Sequence, residues 1–172
     1  LTGGAGDDVI DGNPGDDTID GGDGADTIAG SDGNDVIDGN IGNDDIDGGL
    51  GNDTITGSAG DDTLRGDAGD DTFIAGASGG EGNDHIDGGA GTDLADYTDV
   101  TADLNVDLTA GTVSSTETGS DTIANTENID AGAGNDTITG DDQSNTLYGR
   151  TGDDVIDGAG GMDTIDGGLG DD

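Results

Sequence analysis

The sequence predicts an all-β fold, a solenoid of stacked eighteen-residue coils. Three observations predict it. Glycine, aspartate and a lone apolar residue recur every nine residues; apolar residues make up only 27% of the chain and aromatics 2%; and short V-I-D or T-I-D runs separate glycine-rich turns. One inward apolar residue per nine cannot build a core within a unit, so units must stack to share one.

Written as G1-G2-x3-G4-x5-D6-x7-U8-x9, with U apolar, the unit starts at residues 3, 12, 21, 30, 39, 48, 57 and 66 without a gap. Ala75 to Ser78 form a four-residue spacer, and units resume at 79 and 88. After residues 97–130 they return at 131, 140, 149, 158 and, cut short, at 167. Among these fifteen units slot 1 departs from Gly only at Ala131, slot 4 only at Gln143, and slot 6 departs from Asp only at Asn145. Slot 8 holds Ile or Leu except at Phe73 and Ala95. Four slots kept in phase over this length exclude random low complexity.

Each slot has a physical reading. Gly at slots 1 and 4 permits positive φ and close backbone approach, as a tight turn lined with carbonyls requires. Slot 2 takes Gly, Asn13, Ser31, Asn40 and Asp67, mostly residues that tolerate turn conformations. Slots 7 to 9 read as a three-residue strand with only the middle side chain inward. Two units then make one coil with a strand on each of two facing sheets, and coils stack at about 4.8 Å. The chain divides into a first block, 1–96, irregular coils, 97–130, and a second block, 131–172. Both ends fall inside units, so a longer parent protein is expected.

Charge sets the next constraint. The 172 residues carry 42 acidic and 2 basic side chains, a formal net charge of −40. Such a chain stays expanded in water unless a cation neutralises it. Like-charge repulsion excludes nucleic acid and anionic membranes as partners. There is no cysteine for a disulfide or thiolate site, and no apolar run as long as a membrane span.

Units such as GGLGNDTIT (48–56) and GGEGNDHID (79–87) resemble the RTX, or haemolysin-type calcium-binding, repeats of secreted bacterial proteins. The resemblance implies a right-handed parallel β-roll, a β-solenoid with calcium between the loops of unit i and unit i+2 on both edges. Ligand chemistry narrows the ion independently. Calcium takes six to eight oxygens in a forgiving geometry, and magnesium demands a stricter one. A single His rules out an array of His-bound zinc or copper.

Slot 6 is the expected carboxylate ligand. Asp8, Asp26, Asp44 and Asp62 fall on one edge and Asp17, Asp35, Asp53 and Asp71 on the other; Asp84, Asp93, Asp136, Asp154, Asp163 and Asp172 continue the pattern. The resemblance implies that carbonyls from slots 1 to 4 complete each shell. The slot-4 carbonyls are those of Gly6, Gly15, Gly24, Gly33, Gly42, Gly51, Gly60, Gly69, Gly82, Gly91, Gly134, Gly152, Gly161 and Gly170. Roughly six to ten ions are expected. The slot-9 aspartates (Asp11, Asp20, Asp38, Asp47, Asp87, Asp157, Asp166) read as outward solvated charge. Slot 5 (Asp7, Asp16, Asn34, Asn43, Asn52) reads as shaping the loop.

The breaks carry information too. In residues 97–130, Leu104, Val106 and Leu108 alternate with polar residues as in a half-buried strand. Residues 116–124 are a degenerate unit with Gly119, Asp121 and Ile123 in slots 4, 6 and 8; Asn125–Asp130 read as a strand lacking its turn, with Ile129 inward. The segment is read as coils that continue the solenoid and lack calcium on at least one edge, against the alternative of an excursion that splits it. The coil 140–148 loses its slot-4 Gly and slot-6 Asp, which weakens or empties its site unless Asp141 and Asp142 substitute. His85 reads as an outward surface residue, Tyr97 and Tyr148 as added apolar bulk, and Arg65 and Arg150 as local charge relief.

No nucleophile stands with a base, and carboxylates committed to calcium are poor acids and bases, so no enzyme activity is expected. The reading is a calcium-binding module of a secreted or cell-surface bacterial protein, disordered without the ion and folding after export. The resemblance implies type I secretion and a parent that is a surface-layer protein, adhesin, toxin or extracellular enzyme. The alternative is a solenoid that recognises ice or a polysaccharide. Low pH is expected to unfold the module, because protonated Asp cannot ligate.

Overall fold

The computed structural model describes residues 1–76 and 82–172. Part of the spacer Ala75 to Ser78 and the first three residues of the unit from 79 lie outside the described residues. The first block supplies β1 (Thr2–Ala5), β2 (Val9–Asp11), β3 (Thr18–Asp23), β4 (Thr27–Asp32), β5 (Val36–Ile41), β6 (Asp45–Leu50), β7 (Thr54–Ala59), β8 (Thr63–Ala68), β9 (Thr72–Ile74), β10 (His85–Asp87) and β11 (Leu94–Asp96). The irregular segment supplies β12 (Asn105–Asp107), β13 (Thr112–Ser115), β14 (Gly119–Ala124) and β15 (Asn128–Asp130). The last block supplies β16 (Thr137–Thr139), β17 (Thr146–Tyr148), β18 (Val155–Asp157) and β19 (Thr164–Asp166). Among the described residues no helix is long and apolar enough to cross a membrane.

Alternate strands go to two sheets, as a nine-residue unit with one turn requires. One sheet runs β1-β3-β5-β7-β9-β11-β15-β17-β19 and the other β18-β16-β12-β13-β14-β10-β8-β6-β4-β2. Within the unbroken block register advances by eighteen residues: Ile19 pairs with Ile37, Ile37 with Ile55, and Ile28 with Ile46. The fold is a parallel β-solenoid. Along each strand alternate side chains point inward, so slots 6, 8 and 1 share the interior. Ile46, Ile55, Phe73, Ile86 and Ile138 are completely buried.

Two features differ from the sequence reading. The strands from β3 to β8 have six residues rather than three, because pairing continues through slots 1 to 3 of the next unit. The glycine pairs were read only as turn, yet Gly22 pairs with Asn40 and Gly49 with Asp67. The irregular segment also breaks the parallel rule. β13 pairs antiparallel with both β12 and β14, while β12 pairs parallel with β16 and β14 parallel with β10. The other sheet passes through this region without interruption, β11 to β15 to β17. Tyr97, Val100, Leu104, Val106 and Val113 are buried here and widen the core.

Coil stacking is the source of the packing. Ile55→Ala, in the completely buried column, is expected to cost about 2–5 kcal/mol. Ile165→Ala, at a position 48% exposed in the last coil, is expected to cost less than about 1 kcal/mol. Urea unfolding of both variants in saturating calcium checks this; equal losses would contradict a core that depends on neighbours on both sides.

Candidate metal centre

Each regular loop between strands ends on a slot-6 aspartate whose side chain follows the inward slots of the strand. Asp26, Asp35, Asp53, Asp71 and Asp136 are 1% exposed, and Asp93 is fully buried. In the unbroken block Oδ1 accepts the backbone N–H of the aspartate one coil back: Asp8 donates to Asp26, Asp26 to Asp44, Asp35 to Asp53 and Asp53 to Asp71, all at 2.8 Å. Asp17 donates to Asp35 at 2.7 Å, Asp62 to Asp84 at 2.9 Å and Asp71 to Asp93 at 2.8 Å. In the last block Asp136 donates to Asp154 at 2.8 Å, Asn145 to Asp163 at 3.1 Å and Asp154 to Asp172 at 3.1 Å. Asp163 is half-buried and Asp172 exposed, being in the outermost loops.

The other oxygen is treated differently. Oδ2 of Asp8, Asp26, Asp35, Asp44, Asp53, Asp71, Asp93, Asp136 and Asp154 is buried and has no hydrogen-bond donor. In Asp8, Asp26 and Asp35 it lies against the slot-1 glycine of its own unit, beside the slot-1 carbonyl of the next coil. A Cβ placed on Gly21 would meet Asp26 Oδ2 at 2.5 Å and the Gly39 carbonyl at 2.7 Å. Slot-1 glycines such as Gly21 and Gly39 do not have positive φ, so glycine is needed there for space, and the conformational half of the sequence reading does not apply. Slot 4 does need it: Gly24 has φ +137°, and its Cβ would meet the Gly6 carbonyl at 2.5 Å. In the regular loops the result is a file of oxygens, carboxylate and carbonyl, packed along each edge. This donor set suits a hard divalent cation.

The family profile of the RTX calcium-binding nonapeptide repeat (4 copies) matches residues 1–28, 20–55, 47–78, 77–96, 121–150 and 139–172. The chain belongs to the RTX calcium-binding nonapeptide repeat family. A search of the curated proteins finds no match. The RTX repeats bind calcium, and the buried oxygens of this roll fit that ion.

Other slots of the RTX unit hold the loops in shape. Slot 5 forms a second ladder that runs opposite to the first: Asp7 accepts the N–H of Ala25, Asp16 that of Asn34, and Asn34 that of Asn52. Slot 2 turns through positive φ, at 62° in Asn13 and 69° in Asn40. The slot-9 carboxylates, read as free solvated charge, also brace these turns. Asp38 accepts from the N–H of Asn40 and the hydroxyl of Ser58. Arg65 pairs with Asp45 at 2.5 Å; Arg150 pairs with Asp130 and lies over the Tyr148 ring. His85 is exposed, its Nδ1 2.8 Å from the Thr122 hydroxyl.

Where the repeat fails, the edge changes character. On the edge of Asp8, Asp121 follows Asp84 and accepts its N–H at 3.0 Å. Farther along, Leu104 stands in slot 6, donating its N–H to Asp136 at 2.8 Å, and the buried Tyr97 takes slot 1. On the other edge Glu127 stands in slot 6, its Oε2 accepting the N–H of Asp93 at 3.0 Å. Glu127 escaped the sequence reading; reading Asn128–Asp130 as slots 7 to 9 marks it. In the coil 140–148 Asn145 Nδ2 donates to the Glu127 carbonyl at 2.9 Å and to Asp141 at 3.3 Å. Asp141 Oδ1 also accepts the N–H of Gln143 at 2.8 Å.

Burial raises several of these carboxyls above the ordinary carboxylate value. Burial pushes Asp71 up to about 6, the Asp53 N–H pulling it down and the charges of Asp53, Asp93 and Asp70 pushing it further up. Burial is also the main cause of the upward shifts of Asp44, Asp53, Asp84, Asp93 and Asp136. A carboxyl with a raised folded pKa stabilises the folded chain below its unfolded value, and that contribution is lost as pH rises through the folded one. Acid thus has two opposed effects: it displaces calcium, as the sequence reading expects, and it removes the repulsion that opposes the metal-free roll. In EGTA, acidification from about pH 7 to about pH 4 is expected to increase the far-UV β signal. A signal that only decreases would show that burial of these carboxyls does not limit the metal-free fold.

Proposed function

We propose that this RTX roll is a calcium-driven folding module of a secreted or cell-surface bacterial protein. The slot-6 aspartates from Asp8 to Asp172 and the slot-4 carbonyls from Gly6 to Gly170 serve as ligands to roughly six to ten ions. One observation carries the reading: on both edges, a buried carboxylate oxygen in loop after loop lacks any donor. An unpaired buried carboxylate costs several kcal/mol, which a file of such groups cannot sustain at neutral pH. A cation shared between loops turns each from a liability into a bond.

Binding that occurs only in the folded chain becomes folding free energy. Each site held at 100 times its Kd contributes about 2.7 kcal/mol, so six contribute about 16 kcal/mol. That exceeds the usual net stability of a domain, about 5–15 kcal/mol. The metal-free chain is accordingly expanded by its charge of −40, a form suited to a narrow export channel. Arrival in millimolar calcium stacks the coils. RTX repeats are typical of secreted bacterial proteins, and type I secretion is the route that fits. The module acts as scaffold rather than catalyst, within a surface-layer protein, adhesin, toxin or extracellular enzyme.

A second reading draws on the outward slot-7 file of one sheet. Thr18, Val36, Thr54, Thr72, Leu94, Asn128, Thr146 and Thr164 stand in register there without a charge. Such a file suits a regular, repeating surface such as ice or a polysaccharide, beside the slot-9 file of Asp20, Asp38, Asp96, Asp130 and Asp166. Thermal hysteresis or glycan binding by the calcium-loaded chain tests it.

The folding reading is tested by far-UV circular dichroism of the chain titrated with calcium and, separately, magnesium. A cooperative change from coil to β with calcium alone is expected, and Asp53→Asn should shift its midpoint to higher calcium. A chain already β-rich in EGTA at neutral pH would sink the folding switch.

A further inference from the structure

We propose that the short turn Asn125–Glu127, which lacks the repeat, completes one additional calcium site with the loop of Asp93. The proposal rests on the calcium reading above and extends it to residues outside the nonapeptide.

The comparison is with the regular cradle one coil earlier on the same edge. There Asp71 gives its N–H to Asp93 Oδ1 at 2.8 Å and keeps Oδ2 buried without a donor. A Cβ on Gly66 would run into that Oδ2 and, at 2.6 Å, into the Gly88 carbonyl. Three groups thus define the cradle: the buried Oδ2, a carbonyl of the next coil and the next slot-6 carboxylate.

All three recur one coil later. Asp93 is fully buried, and its Oδ2 has no donor. A Cβ on Gly88 would meet that Oδ2 at 2.5 Å and would run into the Asn125 carbonyl. The next carboxylate is Glu127, whose Oε2 accepts the Asp93 N–H at 3.0 Å. The turn has three residues where the repeat has six, and the extra methylene of Glu restores the reach that the shorter loop gives up. A buried anionic oxygen facing a carbonyl and a second carboxylate calls for a hard divalent cation.

The file is interrupted there. On the far side of Glu127, the Asn145 amide donates to its carbonyl at 2.9 Å, an N–H donor where the regular coils present only acceptors. With no counterpart of the slot-2 to slot-4 carbonyls in the short turn, the Glu127 site has fewer ligands and fills last.

The test is the number of calcium ions bound by the 172-residue chain at saturation, by equilibrium dialysis with atomic absorption, beside far-UV dichroism. Glu127→Gln keeps an acceptor for the Asp93 N–H and removes the charge. It is expected to bind one ion fewer than the wild type, to lose the weakest step of the isotherm, and to keep its β spectrum in calcium. An unchanged ion count would overturn the site, and so would a variant unable to fold in saturating calcium, since one additional site cannot carry the whole roll. A wild-type chain that binds no calcium would instead overturn the calcium reading itself.

Discussion

The structure turns on a carboxylate that is half satisfied. Asp26, Asp35, Asp44, Asp53 and Asp71 in the regular coils each spend one oxygen on the N–H of the neighbouring coil and leave the other buried without a donor. The first oxygen sets the spacing and register of the loops. The second lies beside a slot-1 glycine and, in Asp26 and Asp35, a carbonyl of the next coil. Strand pairing, glycine placement and the narrow core all follow from accommodating this group on both edges of every coil.

The apolar column of the regular coils is one side chain wide. Each regular unit offers one inward apolar side chain, and at both ends of the roll even that is incompletely covered, as Ile10, Ile156 and Ile165 show. The irregular segment uses other means. Tyr97 replaces a slot-1 glycine, Leu104 a slot-6 aspartate, and Val100, Val106 and Val113 add bulk. Glu117 accepts the N–H groups of Thr101 and Ala102 and the Thr101 hydroxyl. Asn145 closes its loop with its own amide. In these places protein donors and hydrocarbon stand where the regular loops present acceptor oxygens.

Much of this could be read from residue order because the slots map one-to-one onto positions in the coil. The period gave the strands, the inward column from Ile19 to Leu147 and the carboxylate file. What escaped was whatever depends on a neighbouring coil. Slot-1 glycine looks like a turn residue until Asp26 is seen occupying the space beside Gly21. The slot-9 acids look idle until a residue twenty positions on reaches back to them, as Ser58 does to Asp38. The reversal of β13 leaves no mark in the periodicity, since an antiparallel strand alternates like a parallel one. Glu127 was hidden because its turn is half the usual length.

That reversed strand has a consequence for how the chain finds its place. Regular coils are interchangeable: the same aspartate can receive the N–H of any loop on its edge, so a shift of eighteen residues restores nearly every bond. Sequences of this kind have little to distinguish correct stacking from a slipped one. β12, β13 and β14, with Tyr97 and Leu104 beside them, fit nowhere else in the array. They give an otherwise anonymous stack a single address, from which coils on either side can be counted outward.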